Sequence, residues 1–148
     1  MRTPLVPTVL AVLLAGSSPA AGEAPVRCGA VLTRDTVLRQ DLTCPGDGLT
    51  IARDGVTLDL GGRTLRGPGL GAWTWPQPQL SSVGIRVTAA GVVIKNGRVE
   101  NFGTALFLDR AEGTRLEAVQ ADQSFYGIYL REAHRTVVAR STVRENVY

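Results

Sequence analysis

Residues 92–113 read VVIKNGRVENFGTALFLDRAEG, residues 114–135 read TRLEAVQADQSFYGIYLREAHR, and residues 136–148 read TVVARSTVRENVY. Laid over one another at an offset of 22, they align Val92 with Thr114 and Thr136, Ile94 with Leu116 and Val138, Phe125 with Val147, and Tyr126 with Tyr148. A period in this range means that one unit cannot bury its apolar face alone and must stack on its neighbours. Working backwards, Val56-Thr57-Leu58-Asp59-Leu60 matches Val92-Val93-Ile94-Lys95-Asn96 at an offset of 36, once an insert between Gly67 and Val83 is allowed for. The rest consists of short β-rich runs broken by glycines, without helical periodicity. The fold class is therefore all-β, a solenoid of coils of about 22 residues.

Stacked coils place equivalent positions about 4.8 Å apart, and side chains alternate between core and solvent along each strand. The alignment then predicts inward ladders Ile51-Val87-Leu108-Leu130 and Leu58-Ile94-Leu116-Val138, apolar as a filled interior requires. Three outward ladders follow. Asp59-Lys95-Glu117-Ala139 alternates in sign and reads as cross-strand ion pairing that includes Lys95, the sole lysine. Arg66-Glu100-Asp122-Arg144 brings two carboxylates together on a surface network flanked by arginines. Thr50-Arg86-Phe107-Tyr129 stacks two aromatic rings beside Arg86 and Arg131.

The composition narrows the chemistry. Of the 148 residues, 44% are hydrophobic and 20% charged, as in an ordinary globular chain. One histidine and two cysteines leave little material for a metal cluster, and no C-x-x-C spacing is present. Arg2, the apolar run 5–15 and the small residues 16–22 read as a secretory signal peptide spanning 1–22. That run is too short for a membrane anchor, which needs about 20 residues. Removing Arg2 takes the formal charge from +3 to +2, so neither nucleic acid nor a membrane surface is an expected partner. The mature chain is expected to be secreted or periplasmic, and in that oxidising space Cys28 and Cys44 are expected to form the one available disulfide. The organisation is then a disulfide-closed cap at 23–47 and coils at 48–148, with a Trp- and Pro-bearing loop at 67–82.

CGAVLTRDTVLRQDLTCPGDGLTIARDGVTLDLGGRTLRG, followed by GIRVTAAGVVIKNGRVENFGTALFL, resembles the opening of right-handed parallel β-helix proteins of the pectin-lyase-like superfamily, a resemblance that covers 28–148. It implies a right-handed parallel β-helix. The superfamily includes polysaccharide lyases, uronan epimerases, glycosidases and secreted proteins without assigned catalysis, so it carries over no particular reaction. The Asp-Pro-His-Asp run of uronan epimerases is absent.

Three functional readings stand side by side. In the first, the chain binds polysaccharide through Arg86, Phe107, Tyr129 and Arg131, with Trp73 and Trp75 of the loop, because rings cover the C–H face of a pyranose and arginines fork onto uronate carboxylates. In the second it is a lyase, epimerase or glycosidase using Glu100 and Asp122, a carboxylate pair at one-coil spacing such as retaining glycosidases require. No metal or other cofactor is expected, although an oxygen-ligand calcium site is open to the same pair. In the third the chain is a structural or capping segment of a larger β-helix. End-to-end self-association, or further coils after Tyr148, is expected from the apolar rung formed by Val138, Val143 and Val147. His134 is expected to be exposed in a turn, and Asn96, Asn101 and Asn146 to serve turns.

Overall fold

The computed structural model describes residues 24–71 and 81–148. The segment read as a signal peptide, together with Trp73 and Trp75, lies outside the described residues. Short β-branched and apolar-alternating runs favour the pleated chain, and the polar or glycine corners between them turn it. The strands are β1 (Val31–Leu32), β2 (Thr36–Val37), β3 (Leu42–Thr43), β4 (Leu49–Ile51), β5 (Thr57–Asp59), β6 (Thr64–Arg66) and β7 (Val83–Val87). They continue as β8 (Val93–Glu100), β9 (Thr104–Asp109), β10 (Arg115–Asp122), β11 (Tyr126–Arg131), β12 (Val137–Ala139) and β13 (Thr142–Arg144).

One sheet has the order β1-β4-β7-β9-β11. The other has the order β12-β10-β8-β5-β2, with β13 on β10, β6 on β8 and β3 on β6. All of these pairings are parallel. Ile94 faces Leu116, Leu116 faces Val138 and Leu106 faces Ile128, each 22 residues on. The insert widens the step to 36 between Leu58 and Ile94 and between Leu49 and Ile85. The protein is a parallel β-solenoid of about five turns, and the described residues contain no α-helix.

Both inward ladders are in the expected register. Ile51, Val87 and Leu108 are fully buried, as are Leu58, Ile94 and Leu116, each burial stabilising by about 1.5–3 kcal/mol. Leu130 and Val138 occupy the same ladders but stay 48% exposed, because no described coil covers them. Corners are fixed twice over. Asn96, Ala118 and Arg140 recur in the left-handed region at φ of 59°, 53° and 50°, and Asn101, Gln123 and Glu145 do so at 61°, 49° and 54°. Side chains then tie each corner to the next coil: Asp47 Oδ1 accepts from Val83 N (2.8 Å), and Asp54 Oδ1 from Ala90 N (2.8 Å). Asn101 thus serves as expected, whereas Asn96 takes the left-handed geometry inside β8 and bends that strand. Asn146 works instead through its amide, accepting from Ser124 N at 2.9 Å and donating to Ala121 O at 2.8 Å. The Cys28–Cys44 disulfide is formed, and with Val26 and Ala30 it packs against the core at the first coil.

The alternating ladder is only partly an ion-pair ladder. Lys95 reaches Asp59 at 3.9 Å, whereas Glu117 pairs with Arg115 and Arg140. The arginines can approach Glu117 from its own strand and from the following coil, which takes the carboxylate away from Lys95.

Candidate functional site

Strands β4, β7, β9 and β11 carry Thr50, Arg86, Phe107 and Tyr129 in mutual register, and alternation turns these side chains away from the core. Phe107 and Tyr129 lie with ring centroids 5.4 Å apart and planes tilted by 57°. Phe107 is flanked by two guanidiniums, Arg86 at 5.0 Å and Arg131 at 5.2 Å from the ring centroid. Residues at the starts of the same strands form a second column, Val83, Thr104 and Tyr126. Between the two columns lies an open depression of about 160 Å³, lined by Val83, Arg86, Thr104, Phe107, Tyr126 and Tyr129. Tyr126 meets Tyr129 at 5.4 Å and Tyr148 at 5.8 Å, so the aromatic surface extends across successive coils.

The two arginines differ in what they can offer. Arg131 donates through Nε and Nη2 to both oxygens of Asp109, at 2.9 and 2.6 Å. That two-armed hydrogen bond holds the Asp109 carboxyl below its ordinary range, and the Arg131 guanidinium is raised by the same bond. Arg86, half-buried, makes no hydrogen bond or ion pair with a described residue. Its forked donors are therefore held over a ring and open to an anionic group.

The carboxylate pair is not the surface feature the alternation predicts. Glu100 and Asp122 are in register on β8 and β10, but they are buried, 4% and 0% exposed. Arginines fold across them. Arg66 Nε donates to Glu100 Oε1 at 2.7 Å, and Arg98 bridges the two acids, 3.3 Å from Glu100 Oε2 and 2.7 Å from Asp122 Oδ2. Arg144 closes the far side, 3.6 Å from Asp122. Hydrogen bonding to Asp122 raises the Arg98 guanidinium above its ordinary value. Both carboxylates are thus clamped and screened from solvent, with Asp122 Oδ1 left without a hydrogen-bond partner. Among the described residues no group of three metal-ligating side chains occurs, and a calcium site would have to displace these guanidiniums.

Arg86, Phe107, Tyr129 and Arg131 come together as expected, and the disulfide joins as expected. Sequence reading missed Asp109, Arg98, Thr104 and Tyr126. Asp109 had a signal, since it stands 22 residues before Arg131, and Arg98 had one in sharing the outward parity of Glu100. His134 is exposed in its turn. Comparison with protein-family models, with curated proteins and with solved structures gives no match, so the face is read from its own geometry.

Proposed function

We propose that this is a secreted or periplasmic β-helix protein of the pectin-lyase-like kind that binds a polysaccharide across the face of β7, β9 and β11. The observation that carries the reading is Arg86, a half-buried guanidinium resting on Phe107 that makes no hydrogen bond or ion pair with a described residue, at the edge of the aromatic depression. A tilted pair of rings offers apolar area to a sugar ring, and the guanidinium fork offers two parallel donors to a carboxylate on it. The disulfide supports an oxidising compartment, where such bridges persist.

Calorimetric titration of an oligogalacturonate and a neutral cello-oligosaccharide against the whole chain tests this. The acidic ligand is expected to bind more tightly. Phe107→Ala combined with Tyr129→Ala is expected to weaken it by roughly tenfold, the loss of about 1–2 kcal/mol of ring contact, with circular dichroism unchanged. Equal affinity in the double variant would remove the face from consideration, and unfolding would place both rings among the residues that hold the core.

A further inference from the structure

Arg86 is the one charged side chain among the residues that line the aromatic depression, the others being Val83, Thr104, Phe107, Tyr126 and Tyr129. A second guanidinium stands close by. Arg131 lies 5.2 Å from the centroid of the Phe107 ring, which Arg86 approaches to 5.0 Å. What separates the two arginines is their neighbours along the stack. The residue opposite Arg86 is Thr50 in the preceding coil and Phe107 in the following one, and neither is an acid. The residue opposite Arg131 in the preceding coil is Asp109.

Asp109 accepts from Arg131 Nε and Nη2 at 2.9 and 2.6 Å, and it lies 3.5 Å from Arg110 Nε. Only 6% of the residue is exposed, so its carboxylate is turned to these guanidiniums and shows little of its charge to the face. Arg131 keeps Nη1 as a donor but has lost its fork, and the acid beside it cancels most of its field. A carboxylate placed over Arg86 meets donors that no described residue occupies. A second carboxylate, on the next sugar unit, would lie over Phe107 and Tyr129. Its lost hydration would be compensated there only by the hydroxyls of Thr104 and the tyrosines, which is a poor exchange for a charge.

Resting on the reading that this face binds polysaccharide, we propose that its ligand is a sparsely charged glycan, one acidic sugar flanked by neutral ones. Asp109 is the positioning residue that sets this limit, because it holds Arg131 away from the ligand.

Calorimetric titration of the whole chain with cellotetraose and two oxidised forms of it tests the proposal, since the three ligands differ only in charge. One form carries a carboxylate in place of a single internal primary alcohol, and the other carries one on every unit. The single-acid form is expected to bind about tenfold more tightly than the neutral one. The fully oxidised form is expected to gain nothing further and to lose affinity with salt no more steeply. Arg86→Gln should remove the advantage of the single acid. Asp109→Asn keeps the side-chain size and removes the charge; it is expected to tighten the fully oxidised ligand by about tenfold, steepen its salt dependence, and affect the single-acid ligand much less. Adding Arg131→Gln should take that gain away, and Glu112→Gln, which removes an acid elsewhere, should leave the order of the three ligands as it was.

A wild-type affinity that climbs with each added carboxylate overturns the proposal. So does an Asp109→Asn variant, folded by circular dichroism, that leaves the order unaltered, or a gain that Glu112→Gln reproduces. The wild-type series decides alone should Asp109→Asn not fold. Failure of the binding reading itself looks different: none of the three ligands binds, or Phe107→Ala with Tyr129→Ala binds them as the wild type does, and the proposal falls with it.

Discussion

Asp122 is the most demanding single residue in the molecule. Its carboxylate has no exposed surface, and its Oδ2 accepts from Arg98 Nε and Nη2 at 2.9 and 2.7 Å. A buried charge is tolerated only while its partners compensate the lost hydration, so removing one side leaves the other uncompensated. Asp122→Ala is expected to cost about 3–5 kcal/mol, read as a lower urea midpoint; a change under about 1 kcal/mol would mean that the arginines solvate themselves. Asp109 is a second acid held by an arginine. Its folded value lies below the ordinary one through the Arg131 hydrogen bond. It therefore contributes stability that is complete above the ordinary aspartate range, near about pH 4, and is lost as pH falls through the lower folded value. Carboxyl chemical shifts should place the Asp109 midpoint below those of exposed aspartates, and Arg131→Gln should bring it back up. An unchanged midpoint in that variant would reassign the cause.

The strand-to-corner element depends on where a side chain is missing. Gly84 lies in β7, and a Cβ built there would sit 2.5 Å from Ala105 O and 2.5 Å from Val99 Cγ1. The first of these atoms belongs to the backbone of the next coil and cannot step aside without breaking the parallel ladder. Gly84→Ala is expected to destabilise by roughly 1–3 kcal/mol and to perturb β7 and β9 together, with the coils on either side less affected. Chemical-shift changes confined to the loop near residue 82 would contradict that picture. The corners show why strand positions were legible and corner chemistry was not. Asn96 and Asn101 announce left-handed geometry by residue type. Ala118, Arg140 and Glu145 adopt it without any such signal, because the coil period imposes the conformation on whatever residue stands there.

At the scale of the whole molecule, the disulfide ties together the first described coil. Cys28 and Cys44 are separated by 16 residues, a loop whose cross-link restricts the unfolded chain by about 3 kcal/mol. Reduction is expected to lower stability by that order and to loosen β1 and β3 before β10, as seen by hydrogen exchange with and without dithiothreitol. Identical urea curves in the two states would show that the bridge adds nothing to the packing of Val26 and Ala30. The stack is quasi-one-dimensional, so such local changes fade over neighbouring coils.

The sequence repeat, 22 residues long and stretched to 36 across the insert, determined the coil and the two inward ladders, because a stacked repeat leaves its apolar positions only one way to superpose. It also placed Arg86, Phe107 and Tyr129 in one outward column, which is the framework of the candidate site. Tertiary structure decided what those outward positions experience. Strand parity turns Glu100 and Asp122 out of the core, yet three long arginine side chains from neighbouring positions lie over them and seal them from water. Parity likewise treats Arg86 and Arg131 alike, although Asp109 takes Arg131 in a two-armed hydrogen bond while Arg86 rests on the Phe107 ring. Periodicity specifies the direction a side chain leaves the backbone; the length and charge of its neighbours specify whether it meets solvent, a partner or a ligand.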